Sequence, residues 1–288
     1  MFLEESRSKL TTLSDFKTST VILLKYILPF FMIMILSLFV GFVIYQRTSN
    51  VLENEVKKTN RVLLEQGMNV LDNRLQSLDE IIRKMSDDSL VVGMEQISDP
   101  FDSENLYRII ETRKRLQSYS IANELVLDYF ILYKNSGLVL NNDFTAMLPE
   151  FSDTLTYPKE ESELLHTIIQ KYYYKEVLPK STVVLNGRPY SVLTYLHSVG
   201  FPSYSNATML FLLNNNEIRK LLSGLIIEEG WAYIANDRGE LLTSVTDGGD
   251  SMELSPLVLP DSNGVLNEKH GDLDMIVTYV TSPYNGWT

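Results

Sequence analysis

Cysteine is missing from this 288-residue chain, histidine occurs three times and tryptophan twice, and basic residues are outnumbered, 25 Lys and Arg against 37 Asp and Glu. Without cysteine there can be no disulfide scaffold, thiolate metal site or cysteine nucleophile, and the chain is at ease in an oxidising space. A net charge of -12 leaves no basic face of the size that phosphate backbones need, so no nucleic-acid contact is expected from this segment. His166, His197 and His270 stand far apart, outside any zinc-ligand spacing. The nucleophile elbow, the P-loop and the dinucleotide fingerprint are likewise missing. We therefore expect no metal, no cofactor and no catalysis. Asp247-Gly248-Gly249-Asp250 lacks the alternating oxygen ligands of a calcium loop and reads as a turn. Asn206-Ala207-Thr208 matches a glycosylation sequon, a three-residue pattern that carries little weight.

What is present is unevenly spread. Residues 1–45 carry a net charge of +1, which leaves -13 for the remainder. Within the first part, Tyr26 to Tyr45 form a run of twenty uncharged residues, long enough as a helix to span about 30 Å. Tyr26 and Tyr45 sit where interfacial aromatics belong, and Lys25 and Arg47 can reach the two head-group layers. Pro29 falls in the first turn of that run, where it is tolerated. The run has neither the polar stripe of a core helix nor the cleavage site of a signal peptide, so an uncleaved transmembrane helix is expected over 21–46. Lys and Arg balance across it, and charge alone does not orient it.

Beyond the span, Leu64, Met68, Leu71, Leu75, Leu78, Ile82 and Met85 recur at alternating spacings of four and three, the seam of a long amphipathic helix from about Ser49 to Ser89. Such a seam suits a dimerising stalk or packing on the chain's own domain, and the sequence leaves both open. A second helix is expected at Ser103–Ser118, with Leu106, Ile109, Ile110 and Leu116 turned back towards the first. Strand signals follow. Val126–Tyr133, the turn Lys134-Asn135-Ser136-Gly137 and Leu138–Leu140 predict a hairpin, and a similar arrangement recurs 102 residues later at Trp231–Ala235, Asn236–Gly239 and Glu240–Ser244. In between, a helix is expected near Glu160–Tyr173 and strands at Val177–Leu185, Tyr190–Val199 and Ala207–Leu213. Asn186-Gly187 reads as a type I′ turn, and a short helix is expected at Glu217–Leu222. The fold class is α+β: an N-terminal transmembrane helix, a long stalk helix and two tandem antiparallel-sheet modules with helices on one side of the sheet. Strands at Gly264–Leu266 and Met275–Thr281 would complete the smaller module. The final Pro283-Tyr284-Asn285-Gly286-Trp287-Thr288 looks like the entry to a further strand, so a closing strand, a second span and an effector are expected to follow.

One short start, one span, a long helix, a larger then a smaller strand-rich module and the final P-Y-N-G-W-T together resemble the double Cache ectodomains of bacterial membrane sensors, whose modules are PAS-like. Glu111–Leu116, Tyr129–Tyr133 and Ser282–Trp287 look most like the transmembrane AraC-type transcription regulators, with a histidine kinase of similar layout as the alternative. The resemblance implies a cytoplasmic N-terminus (1–20) and, beyond the span, extracytoplasmic residues 47–288. These divide into stalk and second helix (47–120), a membrane-distal module (121–224) and a membrane-proximal one (225–288). It also implies a homodimer through the stalk and DNA contact only through a further C-terminal domain. In such ectodomains a small-molecule pocket lies between the sheet of the distal module and a helical lid. Tyr129, Tyr133, Tyr195 and His197 are the candidate lining residues, suited to a small polar ligand such as a carbohydrate. The Arg, aromatic and Asp pattern of the amino-acid-binding subset is not found. A membrane-anchored extracytoplasmic enzyme is the competing reading.

Overall fold

The computed structural model describes residues 2–119, 123–161, 163–225, 230–246, 263–270 and 273–288. The expected turn at Asp247–Asp250, the Pro256/Pro260 link and the module boundary at 120/121 lie outside them. The chain divides into two units, residues 1–59 and 60–288.

The first unit belongs to α1, a helix of 85 residues, Phe2–Ser86. Its apolar run is exposed from Leu28 to Tyr45, and the helix is long and apolar enough to cross a membrane. Because the helix starts at Phe2, Pro29 lies in its interior rather than in a first turn, and one backbone hydrogen bond is forgone there. Within the run, Ser37 donates its hydroxyl hydrogen to the Ile33 carbonyl at 2.9 Å, so its polar group is satisfied inside the helix.

The second unit is built on a seven-stranded antiparallel sheet in the order β3-β2-β1-β7-β6-β5-β4. Its strands are β1 (Val126–Tyr133), β2 (Leu138–Leu140), β3 (Thr145–Met147), β4 (Leu155–Thr156), β5 (Glu176–Leu185), β6 (Arg188–Ser198) and β7 (Ala207–Asn214). Asn186 and Gly187 have φ of 50° and 76°, the paired positive values of the type I′ turn read from the sequence. The period-2 alternation of β1 divides its side chains between two cores. Tyr129, Ile131 and Tyr133 face one, with Leu71, Leu75, Leu78, Ile82 and Met85 of α1. Phe130 and Leu132 face the other, beneath α4 (Leu148–Thr154) and α5 (Leu164–Gln170). Helices therefore cover both faces of the sheet, not one. The expected helix at Glu160–Tyr173 is shorter, being preceded by a 3-10 turn at Lys159–Glu161.

The seam residues of α1 from Leu71 to Met85 are thus spent on the chain's own core, and they are not free for the homodimer expected through the stalk. Leu64 and Met68 remain half-buried. After α2 (Ser89–Gly93), α3 spans Ser103–Ser118 as expected, capped by the Asp102 carboxylate on the Ser103 amide. Its buried residues are Ile109, Thr112 and Leu116, while Leu106 and Ile110 are 42% and 51% exposed. Those two lie on the other edge of the apolar stripe, beyond the part that α1 and α2 cover.

A helix α6 (Asn215–Ser223), capped by Asn214, leads to a two-stranded ladder of β8 (Trp231–Ala235) and β9 (Leu241–Thr246). A second ladder joins β10 (Asn263–His270) and β11 (Leu273–Val280). The two hairpins that repeat at an offset of 102 share a turn glycine at positive φ, Gly137 and Gly239, but not a register: Leu132 pairs with Val139, whereas Ile234 pairs with Thr243 across a bulge. The buried Asn215 bridges β9 to β6, donating to the Ser191 hydroxyl at 2.9 Å and accepting from the Thr243 hydroxyl at 2.6 Å.

Residues 282–288 are clamped. Thr288 and Ala235 exchange two backbone hydrogen bonds, Trp287 is buried, and the Ser282 hydroxyl donates to the buried Asp72 carboxylate of α1 at 2.7 Å. Burial pushes the Asp72 carboxyl above its ordinary range, with the Ser282 bond opposing the shift. A raised folded-state pKa means that ionisation at pH 7 opposes folding, and that this cost fades as pH falls through the raised value towards about 4. Asp72→Asn, which keeps an acceptor for Ser282, is therefore expected to raise the melting temperature at pH 7, with a margin that shrinks on acidification. Circular dichroism melts from pH 7 to pH 4 check this, and a margin independent of pH would contradict it.

Candidate functional site

An open cleft of about 750 Å³ lies against α1, within the size range of small-molecule sites. Its α1 wall runs from Gln76 to Ser86 and continues into Asp87 just past the helix, and facing it are Tyr174, Lys175, His197, Phe201 and Tyr284. The helical part of the wall is one face because 76, 79, 80, 83 and 86 follow the three-and-four spacing.

Asp79 is the organising group. Its carboxylate accepts hydrogen bonds from the Tyr195 and Tyr284 hydroxyls and lies 2.6 Å from the Lys175 ammonium. One side chain thus joins α1, the residue just before β5, the C-terminal half of β6 and the segment 282–288. A carboxylate offers about four lone-pair directions, so three donors can be held at once. Burial first, then the Asp79 charge and its hydrogen bond, push the Tyr195 phenol far above its usual range; Tyr284 is raised by the same causes. Both remain donors at any physiological pH. Burial alone would lower Lys175, but its bond to Asp79 and that charge raise it, so it stays cationic. Lys175 has φ of 54°, a left-handed conformation that an ordinary side chain adopts at a cost, and its ammonium bond to Asp79 is one contact that holds it there.

His197 lies one alternation along β6 from Tyr195, on the same face, with its ring 5.7 Å from that of Tyr174. Its Nδ1 is buried without a partner among the described residues, and burial lowers its pKa, so it is a neutral ring at pH 7. Ser86 Oγ, on the opposite wall, is also buried and unpartnered among the described residues. Tyr174 and Phe201 are 67% and 78% exposed at the rim.

Of the four residues chosen from sequence, His197 lines this cleft and Tyr195 reaches it through Asp79. Tyr133 is wholly buried and donates to the Val91 carbonyl at 3.1 Å. Tyr129 stacks on Phe211 at 5.5 Å, its hydroxyl buried and unpartnered among the described residues. All four face α1. The lid helices α4 and α5 cover the opposite face, which Phe130, Phe151, Tyr157 and Ile168 fill, so the candidate residues do not line a space between sheet and lid. Sequence reasoning missed Asp79, Lys175 and Tyr284. Tyr284 had a signal in the final P-Y-N-G-W-T; Asp79 looked like one more charge beside an apolar seam. The Tyr172–Tyr174 run divides, with Tyr173 buried and Tyr174 at the rim. Among the described residues no group of three or more His, Asp or Glu could hold a metal ion.

No family model matches the chain, and no curated protein does. Among solved structures it is similar to ligand-binding domains of bacterial chemoreceptors. For Pseudomonas aeruginosa PAO1 PctC, an amino acid chemoreceptor in complex with GABA, identity is 10%, TM-score 0.46, and coverage 81% of this chain and 97% of that one. For Pseudomonas fluorescens CtaA with L-isoleucine the values are 9%, 0.47, 83% and 92%. For Campylobacter jejuni Tlp3 with L-norvaline they are 10%, 0.42, 66% and 70%. At such identities and scores the likeness says nothing about which molecule this chain binds.

Proposed function

We propose that residues 47–288 are the extracytoplasmic ligand-sensing region of a membrane-anchored receptor of the double Cache type, tethered by the span at 21–46 with residues 1–20 in the cytoplasm. The supporting observation is that one helix, α1, carries both an exposed apolar run and the Asp79 side chain that organises the cleft. The modules are 121–224, distal to the membrane, and 225–288, proximal to it. The ligand is a small polar molecule such as a carbohydrate, bound without chemistry: the Asp79 carboxylate is already engaged by three donors, and His197 has no hydroxyl nucleophile bonded to it. A ligand that favours one arrangement of the Asp79 contacts shifts a two-state equilibrium by its differential affinity. The effector is an AraC-type DNA-binding domain outside residues 1–288, with a histidine kinase as the alternative. A homodimer through the stalk helix would use α1 before Leu71, where Val51, Leu52, Val62 and Val70 are exposed.

Protease added to intact cells tests the topology. The body is expected to be digested from outside while cytoplasmic markers survive; a body cleaved only after lysis would refute the reading.

A further inference from the structure

Four features of the cleft are not accounted for by a small ligand of unspecified shape. Its α1 wall is about 15 Å long by helical rise, more than a single sugar ring or amino acid needs. Along that wall Glu80, Arg83 and Asp87 alternate in charge at spacings of three and four, exposed and without an ion pair among the described residues. Exposed rings, Tyr174 and Phe201, stand at the rim. Two further polar atoms, Ser86 Oγ and His197 Nδ1, are without a partner in its walls among the described residues.

Resting on the sensing role proposed above, we infer that the cleft takes a linear neutral oligosaccharide laid along α1, and that one of its hydroxyls replaces the Tyr284 phenol on Asp79. Alternating acceptors and donors create no field of one sign, so they select no net charge; they match a chain that presents hydroxyls, both donors and acceptors, at intervals. The rim rings cover the apolar C–H faces of such a ligand. Asp79 is where the ligand meets the rest of the molecule. Tyr284 belongs to the segment 282–288, which a second aspartate of α1 on the same helix face, Asp72, holds through Ser282, and which Trp287 and the Thr288–Ala235 pair anchor at its other end. A sugar hydroxyl on Asp79 therefore removes one of the two aspartate clasps on this segment. Ligand occupancy and the position of 282–288 become linked equilibria, and whatever frees Tyr284 must tighten ligand binding by the same factor.

The test uses the full chain in lipid nanodiscs. Trp231→Phe leaves Trp287 as the sole tryptophan reporter, because the chain has two. Maltotriose, cellotriose and xylotriose are titrated against glucose and xylose. At least one trisaccharide is expected to bind at least tenfold more tightly than its monosaccharide and to shift Trp287 emission to the red. Tyr284→Phe, which lacks the competing hydroxyl, is expected to tighten that binding about tenfold, as removal of one charge-assisted hydrogen bond implies. If Trp231→Phe does not fold, hydrogen exchange of residues 282–288 in the unaltered chain supplies the readout, with faster exchange expected on binding. Trisaccharide binding that ignores Tyr284→Phe and leaves residues 282–288 unchanged overturns the competition. Failure of every glycan overturns the ligand class; a thermal shift of the same chain with amino acids would then leave the sensing role intact, and the protease result decides that role separately.

Discussion

Leu78→Ala is expected to lower the unfolding free energy by about 2–5 kcal/mol, the usual loss for a fully buried leucine truncated in a close-packed core. Leu78 is wholly covered, and its neighbours are the α1-facing side chains of the central strands. These strands are held by ladder hydrogen bonds and cannot collapse into the vacated space, so the cavity term is added to the transfer term. Leu64→Ala, in the same heptad seam but half-buried, is expected to cost under about 1 kcal/mol, because much of its surface is already wet. Urea unfolding of the two variants, followed by circular dichroism, measures the difference. Equal and small losses would mean that α1 does not complete the core of the sheet and that its seam is free for another copy of the chain.

Asp79→Ala is the second large effect. It leaves the Tyr195 hydroxyl, in a residue 4% exposed, without its acceptor, and strips Lys175 and Tyr284 of the same partner. Lys175 is exposed enough for water to take over much of its ion pair, so the loss comes mainly from the two phenols and amounts to about 2–4 kcal/mol. Asp79→Asn keeps one acceptor oxygen and is expected to lose roughly half as much, since an amide accepts where a methyl cannot. The ratio of the two, read from urea midpoints, separates the loss of a hydrogen-bond acceptor from the loss of charge. A neutral Asp79→Ala would remove the basis for the cleft as an organised site.

Local signals carried far into this fold. The run Val126–Tyr133, the Asn186-Gly187 turn and the helix Ser103–Ser118 were readable because each is dictated by residues adjacent in the chain: β-branched and aromatic side chains, a pair able to take positive φ, a cap followed by an acid. Coverage of the sheet was not readable. β7, Ala-Thr-Met-Leu-Phe-Leu-Leu-Asn, is buried at seven of its eight positions, and a strand apolar on both sides does not say whether one helical layer or two lie over it. The same limit applies to α3, where the apolar stripe is wider than the surface that covers it. In the cleft, Tyr195 and His197 stood out as polar and aromatic side chains in a strand. Asp79, the partner of Tyr195, lies 116 positions from it and 205 from Tyr284, and no spacing rule joins residues so far apart before the sheet has formed.

The strand order has a kinetic consequence. β1, β2 and β3 form one meander and β5, β6 and β7 another, each closed by short turns, but the two halves meet only where β1 pairs with β7, Val126 opposite Leu213. Closing that junction joins positions far apart in the chain, from Tyr133 with Ala207 to Val126 with Leu213, so its entropic cost falls due late, after each half has gained its local pairings. Until then the inner edges of both halves are open and apolar, and the half-made protein is a template for pairing with other chains. Aggregation during refolding should therefore rise with protein concentration and fall when β1 and β7 are brought together early.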